Sequence, residues 1–364
     1  GKTTLLLQFM KKQNLTPSEM IYISVDHPLM SSTTILDIAK EFASFGGKLL
    51  VLDEIHTQAD FANDLKTIWD FLEINVIFSG SSALHLDSAD LSRRALKYTL
   101  PTLSFCEFIE IETNQKFEQL SLEDILTNHT SYATNIISRI KPLKYFKEYM
   151  EYGFYPFYLE DKESTRIKLC EAINKTIDID LLKIYNIDPK KLKNIKKILT
   201  MLCVSVPYKP NMSTLSSAAE VDIKTFYIYL NALSRGKIIR MISAHARGEE
   251  IIKKPEKIYL DNPNIFKALC QSSETGTIRE SFFASSLQNA LHSVQASKKG
   301  DFLVDEKYIF VLTALRNNAS LYEIGGKDKG FSQIKDIPDS FVAADEIEVG
   351  FGNKIPLWLF GFLY

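Results

Sequence analysis

The chain has 364 residues, 45% hydrophobic and 24% charged, an ordinary globular composition with length enough for two or three cores. Lysine plus arginine number 43 against 45 aspartate plus glutamate, a formal charge of -2, so no overall basic signature of nucleic-acid binding is present and only a local basic face stays open. No apolar run approaches the roughly 18–20 residues that cross a bilayer and no secretory signal is visible, which points to a cytoplasmic protein without a membrane partner.

The chain opens with Gly1-Lys2-Thr3-Thr4 and the apolar, helix-like run Leu5-Leu6-Leu7-Gln8-Phe9-Met10. A phosphate-binding loop reads G-x-x-x-x-G-K-T/S and leads straight into a helix. The second half of that pattern is here, from its last glycine. The first glycine and the preceding strand are not in the sequence and no Met stands at position 1, so the chain reads as a fragment or a mis-started gene. In such a loop, backbone N–H groups and a helix N-terminus surround the phosphates. Lys2 would reach the terminal phosphates and the Thr3 hydroxyl would ligate Mg²⁺. Gly-Lys-Thr alone often arises by chance, so the residues downstream carry the weight.

A strand is expected at 21–25 and a helix at 34–45. Lys48-Leu49-Leu50-Val51-Leu52-Asp53-Glu54 then reads as a buried parallel strand delivering two carboxylates at its end. That is what a Walker B element requires: Asp53 holds Mg²⁺ through water and Glu54 polarises the attacking water. Paired acids after an apolar run are commonly just a solvated strand end, and Gly-Lys-Thr upstream argues against coincidence. After a helix at 60–72, Asn75-Val76-Ile77-Phe78 forms a third strand ending in Ser79-Gly80-Ser81-Ser82. Open α/β sheets bind ligands at that edge, so Ser79 or Ser81 would touch the attacking water or the γ-phosphate, or else cap the next helix. The alternation predicts an α/β, P-loop-type parallel sheet.

Beyond residue 110 the texture changes. Residues 115–200 carry Leu, Ile, Lys and Glu at helical spacing, and the aromatic stretch from Tyr145 to Tyr158 reads as core. The basic run 190–197 either grips phosphates or forms a solvated helix face, the commoner outcome. Over 211–240 the pattern gives a helix capped by Asn211 or Ser213, a turn at Glu220-Val221-Asp222, a helix over 223–233 and a strand from Gly236 to Met241. Helix, turn, helix, strand is a winged-helix outline, whose second helix carries Lys224, Thr225, Tyr227 and Tyr229. With few Arg or Asn on that helix, a spacer or protein contact is favoured over DNA reading. The apolar end, 355–363, reads as a final buried strand. Cys106, Cys170, Cys203 and Cys270 form no C-x-x-C, so neither a zinc knuckle nor a disulfide framework is expected and the thiols read as reduced. The six histidines suggest no metal site.

In these elements the chain resembles a bacterial and archaeal AAA-type ATPase family whose C-terminal half looks like a PD-(D/E)XK nuclease. The resemblance rests on Gly1-Lys2-Thr3-Thr4, on Leu50-Val51-Leu52-Asp53-Glu54-Ile55-His56 and on Phe78-Ser79-Gly80-Ser81-Ser82. It continues through Ser92-Arg93-Arg94, Leu103-Ser104-Phe105-Cys106-Glu107-Phe108, Tyr152-Gly153-Phe154-Tyr155-Pro156, Lys254-Pro255-Glu256-Lys257-Ile258-Tyr259-Leu260-Asp261 and Gly276-Thr277-Ile278-Arg279-Glu280. It implies an AAA-type core at 1–110, a helical region at 111–200, a winged-helix-like part at 201–250 and an α/β restriction-endonuclease-like domain at 251–364. It further implies ATP and Mg²⁺ as ligands, held by Gly1, Lys2, Thr3, Thr4 and Asp53, with Glu54 catalytic. Arg94, or Arg93 in its place, would face the γ-phosphate, the plain alternative being a surface salt bridge. In the nuclease-like part, Asp301 and Glu323 would bind Mg²⁺ and Lys327 would polarise water. The sequence departs from that pattern: Glu323-Ile324-Gly325-Gly326-Lys327 replaces the compact Glu-x-Lys, shifting Lys327 along a strand whose side chains alternate. Residues 311–322 also look inserted, so a nuclease-like scaffold with lost catalysis is expected.

The leading expectation is thus a Mg-dependent ATPase whose turnover switches its C-terminal domains. A DNA-binding or nuclease-related protein regulated by ATP is the second, and a non-catalytic truncated remnant the third. A DNA or protein client and a homo-oligomer are further expected partners.

Overall fold

The computed structural model describes residues 1–80, 91, 94–181, 185, 187–204, 211–244, 255–271, 274–305 and 319–364. Ser81, Ser82, Ser92, Arg93, Lys254 and most of the stretch 311–322 lie outside the described residues. Residues Gly1–Leu100 form one compact unit and Pro101–Tyr364 a second.

The first unit alternates helix and strand: α1 (Lys2–Lys11), β1 (Met20–Ser24), α2 (Ile35–Ser44), β2 (Leu49–Asp53), α3 (Phe61–Phe71) and β3 (Asn75–Phe78). The strands are parallel in the order β1-β2-β3, with Ser24 beside Asp53 and Leu52 beside Phe78. Thr34 starts α2 by accepting a hydrogen bond from the Asp37 N–H at 3.1 Å, which satisfies one of the helix's first free donors. Every residue of β2 is buried, as a central parallel strand covered on both faces must be.

Side chains along a strand alternate faces, and that alternation places the site. Leu50 and Leu52 pack with Ile35, Ala39, Leu65 and Ile68 of α2 and α3. Leu49 and Val51 turn the other way, onto Leu6 of α1, with Met10, Met20, Tyr22 and Ile77 around them. Two residues further on, Asp53 therefore projects on the α1 face.

The second unit begins with helices. α4 (Phe105–Thr113) and α5 (Leu122–Ile137) each start with a capping box, Ser104 with Glu107 and Ser121 with Asp124. α6 (Pro142–Glu148) runs into a π turn at Tyr149–Gly153, and α7 (Thr165–Lys175) and α8 (Leu192–Val204) come next. Tyr149, Phe154 and Tyr158 are buried core residues, as the aromatic stretch predicts. In the basic run, Lys196 pairs with Asp178 and Lys197 with Glu220, so part of its charge is already neutralised.

α9 (Met212–Ala218) is capped by Asn211 rather than Ser213, and α10 (Ile223–Arg235) by Asp222. Beyond it lies the hairpin of β4 (Ile239–Ser243) and β5 (Pro255–Leu260), antiparallel with Ile239 opposite Leu260. After α11 (Pro263–Leu269) and α12 (Thr275–Asn289), β6 (Ser293–Ala296), β7 (Phe302–Asp305), β8 (Ser320–Gly325), β9 (Ser340–Ala344) and β10 (Lys354–Pro356) form a mixed sheet in the order β10-β9-β8-β7-β6. The apolar end, expected as one strand, pairs over only three residues and then turns at Pro356 into a buried 3-10 helix, Leu357–Phe362. Gly361 lets that helix meet α4: a Cβ there would lie 2.4 Å from the Phe105 Cβ.

One expectation is overturned. Cys203 and Cys270 are joined in a disulfide, their Cα atoms 5.2 Å apart across 67 residues of sequence. The packing of α8 on α11 brings them together, and no sequence spacing records that. Cys106 and Cys170 are free, and burial, reinforced by Glu110 and Glu107, pushes the Cys106 thiol up to about 12.

Candidate functional site

One strand residue, two residues just past strand ends and a helix start converge on one carboxylate. Thr3, in the first turn of α1, donates to Asp53 Oδ2 at 2.5 Å across 50 residues of sequence. Tyr22, on the same face of the neighbouring strand, donates to that oxygen at 2.9 Å. On Oδ1, Asp53 accepts from the Ser79 hydroxyl and from the Glu54 backbone N–H at 3.1 Å. Asp53 and Ser79 are buried. Burial pushes the Asp53 carboxyl up, but the bonds from Ser79, Thr3, Tyr22 and the Glu54 N–H outweigh it and hold the group below its ordinary range. For Tyr22, burial and the bond to Asp53 push the phenol up. All four donors are uncharged, so Asp53 keeps its full negative charge.

Glu54 comes next, with left-handed backbone, φ 53°, ψ 40°, a conformation costly for a residue with a Cβ and one that clusters at functional sites. The chain is pinned there from both sides: Ile55 N–H donates to Ser79 O at 2.9 Å and Ser79 N–H to Leu52 O at 2.8 Å. This turn lifts the Glu54 side chain off the strand to the sheet's C-terminal edge, where it lies 3.3 Å from His56 Nδ1. Gly1 stands at the N-cap of α1 and Lys2 at its first position. Thr4 is exposed on the same turn.

Of the residues expected from sequence, Thr3, Asp53 and Ser79 are thus bonded together, with Lys2 and Glu54 adjacent in the chain. Arg94 is placed elsewhere: its guanidinium makes a two-pronged pair with Asp70 of α3, Nε to Oδ1 at 3.1 Å and a terminal nitrogen to Oδ2 at 3.0 Å. Tyr22 escaped the sequence reading. The signal was available, because Tyr22 is two residues before Ser24, the partner of Asp53, and so shares its face.

The Asp53–Thr3 pair suits Mg²⁺, which prefers carboxylate and hydroxyl oxygens and keeps part of its water. Residues 1–109 match the AAA domain family. The N-terminal region is therefore similar to AAA domains, ATPase-like modules that bind nucleotide. Residues 143–276 match a domain of unknown function, DUF8612. The uncharacterised protein MJ1637 of Methanocaldococcus jannaschii is 26% identical over 275 residues, which cover 71% of this chain. The matched part spans 58% of that relative's length. No solved structure matches the chain.

The second unit holds another cluster of charge. Asp301 precedes β7, Glu323 lies on β8 and Glu280 on α12, with Glu280 and Glu323 buried. Lys257 of β5 reaches Glu280 Oε2 at 2.8 Å and Asp301 Oδ1 at 3.3 Å. Tyr259 also donates to Glu280, and Asp301 Oδ2 accepts from the Ile324 N–H at 2.9 Å. Burial, with Asp301 beside it, pushes Glu280 up against the pull of Lys257 and Tyr259. Burial likewise pushes Glu323 up, opposed by Lys329. The lysine at Glu323 is Lys329, 2.5 Å from Oε1, while Lys327 is exposed in the turn after β8. Among the described residues no group of His, Cys, Asp and Glu is arranged to hold a metal ion, and no helix is long and apolar enough to cross a membrane.

Proposed function

We propose that the AAA domain binds ATP with Mg²⁺ and hydrolyses it, and that turnover switches the C-terminal unit between states. The observation that carries this reading is the Thr3–Asp53 hydrogen bond. It joins the last turn of a phosphate loop to the end of the acidic strand, as a shared Mg²⁺ site needs. Bound there, Mg²⁺ would neutralise charge on the β- and γ-phosphates. Lys2 adds a positive charge beside the same oxygens. Ser79 and Tyr22 keep Asp53 ionised and fixed in plane, so that it remains a ligand. Glu54 orients a water and takes its proton as the water oxygen bonds to the γ-phosphorus and the bridging P–O bond to the β-phosphate breaks, releasing phosphate and ADP. Arg94 serves at the γ-phosphate only if it leaves Asp70.

The test is ATP binding and turnover with Mg²⁺, measured on this chain and on one with a complete glycine loop fused ahead of Gly1. Binding and hydrolysis by the completed chain, both lost on Asp53→Ala, support the reading. A completed chain that binds no nucleotide removes it.

A second reading is favoured by the order α9, turn, α10 and β-hairpin, a helix-turn-helix with an antiparallel pair behind it. Lys224 and Asn231 are exposed on α10, where a winged helix would meet a duplex. Duplex affinity that falls with salt and drops on Lys224→Ala supports a DNA-directed role. No binding at low salt counts against it.

A further inference from the structure

The nuclease-like resemblance implies Mg²⁺ at Asp301 and Glu323, and the side chains around them do not fit one. Lys257 Nζ lies 2.8 Å from Glu280 and 3.3 Å from Asp301, which is where a cation bridging those two carboxylates would sit. Its side chain is 11% exposed and its ammonium lies 4.6 Å from the centre of the Phe302 ring, so this is no loose surface lysine. The remaining carboxylate has its own ammonium, from Lys329 to Glu323 Oε1. Other donors complete the set: Tyr259 on Glu280 and the Ile324 N–H on Asp301.

Charge decides what this arrangement does. Carboxylates sequestered from water need positive charge close by, since the cost of burying an unpaired ion is several kcal/mol or more. One divalent cation would bring two positive charges and demand several oxygens, some of them water, in near-octahedral order. Two ammonium groups bring the same charge, anchored by the chain, and use the carboxylate oxygens that a metal would need. An ammonium and a metal ion cannot both stand between Glu280 and Asp301.

We propose that Lys257, with Lys329, takes the place of a divalent cation, making the acidic centre of the C-terminal unit a metal-independent ion-pair core. Glu280 and Asp301 hold Lys257 across β5, α12 and the start of β7, so the core fastens the β4–β5 hairpin to the mixed sheet. This inference is independent of nucleotide binding in the first unit.

The experiment is thermal melting of the full chain with and without Mn²⁺, in an Asp53→Asn background that removes the other candidate ligand. With both lysines present, Mn²⁺ should leave the melting temperature unmoved. Adding Lys257→Met should lower it, Mn²⁺ should recover part of the loss, and Asp301→Asn should abolish that recovery. A folded Lys257→Met protein indifferent to Mn²⁺ would show that Lys257 does not hold a cation's place. Should Lys257→Met not fold, equilibrium dialysis of Mn²⁺ against the lysine-intact protein decides alone. Equal uptake with and without Asp301→Asn upholds the proposal, and uptake lost on Asp301→Asn overturns it.

Discussion

Asp53 in the first unit and Glu280 and Glu323, with the half-buried Asp301, in the second are acid sites set into the fold, and they are satisfied in opposite ways. Asp53 is held by two side-chain hydroxyls, a phenol and a backbone N–H, none of them charged. The three carboxylates of the second unit are held by two lysines. Neutral donors fix a carboxylate's direction without cancelling its charge, which leaves it able to attract a cation. Ammonium groups offset the charge, two against three carboxylates here, which leaves far less of it to attract a cation. The pKa directions agree: Asp53 is held down, while Glu280 and Glu323 are pushed up by burial that their lysines only partly offset.

The largest effect that would sharpen this contrast is on turnover. Glu54→Gln should leave nucleotide binding intact and slow hydrolysis by about 10²–10⁴-fold, the usual worth of a positioned general base. Hydrolysis unchanged in steady-state phosphate release would remove Glu54 from its role. Next is Lys257→Met, which strands the buried Glu280 and the partly exposed Asp301 and should cost about 3 kcal/mol in denaturant unfolding. A loss of less than ~1 kcal/mol, the worth of an exposed pair, would mean the cluster is open to solvent. Reducing the Cys203–Cys270 bond should destabilise the second unit by about 2–4 kcal/mol, read as a lower melting temperature in reductant that Cys203→Ser abolishes. Tyr22→Phe removes one hydrogen bond to Asp53 and should cost about 1 kcal/mol.

Acid titration separates the two sites by sign. The folded pKa of Asp53 lies below the ordinary 3.8, so its contribution is fully present above 3.8 and is lost as pH falls through the lower folded value. Glu280 and Glu323 lie above the ordinary 4.5, so folding favours their protonated forms. Their effect on stability therefore improves as pH falls from their folded values toward 4.5. Asp53→Asn should flatten the melting curve below 3.8 and Glu323→Gln should flatten it above 4.5, and the reverse pattern would break the comparison.

Much of the first unit was legible because its signals are local. Apolar runs of strand length, helical spacing between them and acids at the end of β2 each sit within a few residues. Arg94 shows where this stops. An arginine placed by pattern near a phosphate also had Asp70 within reach, and only the fold reveals the pair. In the second unit, Lys327 stood nearer the expected spacing, yet Lys329 meets Glu323 because the chain turns sharply after β8. The final apolar run gave burial correctly but not its conformation, since both a strand and a 3-10 helix can bury every residue when covered on all sides.

By itself the sequence determined the alternating helices and strands of the first unit and pointed to Thr3 and Asp53, which the fold bonds together. These rest on periodicity and a motif whose chemistry constrains its spacing. Only the tertiary structure decided that Tyr22 and Ser79 share the Asp53 carboxylate, that Cys203 meets Cys270, and that Lys257 stands between Glu280 and Asp301. Each of those contacts joins residues from different elements, and their distance is set by how sheets and helices pack, which no local stretch of chain encodes.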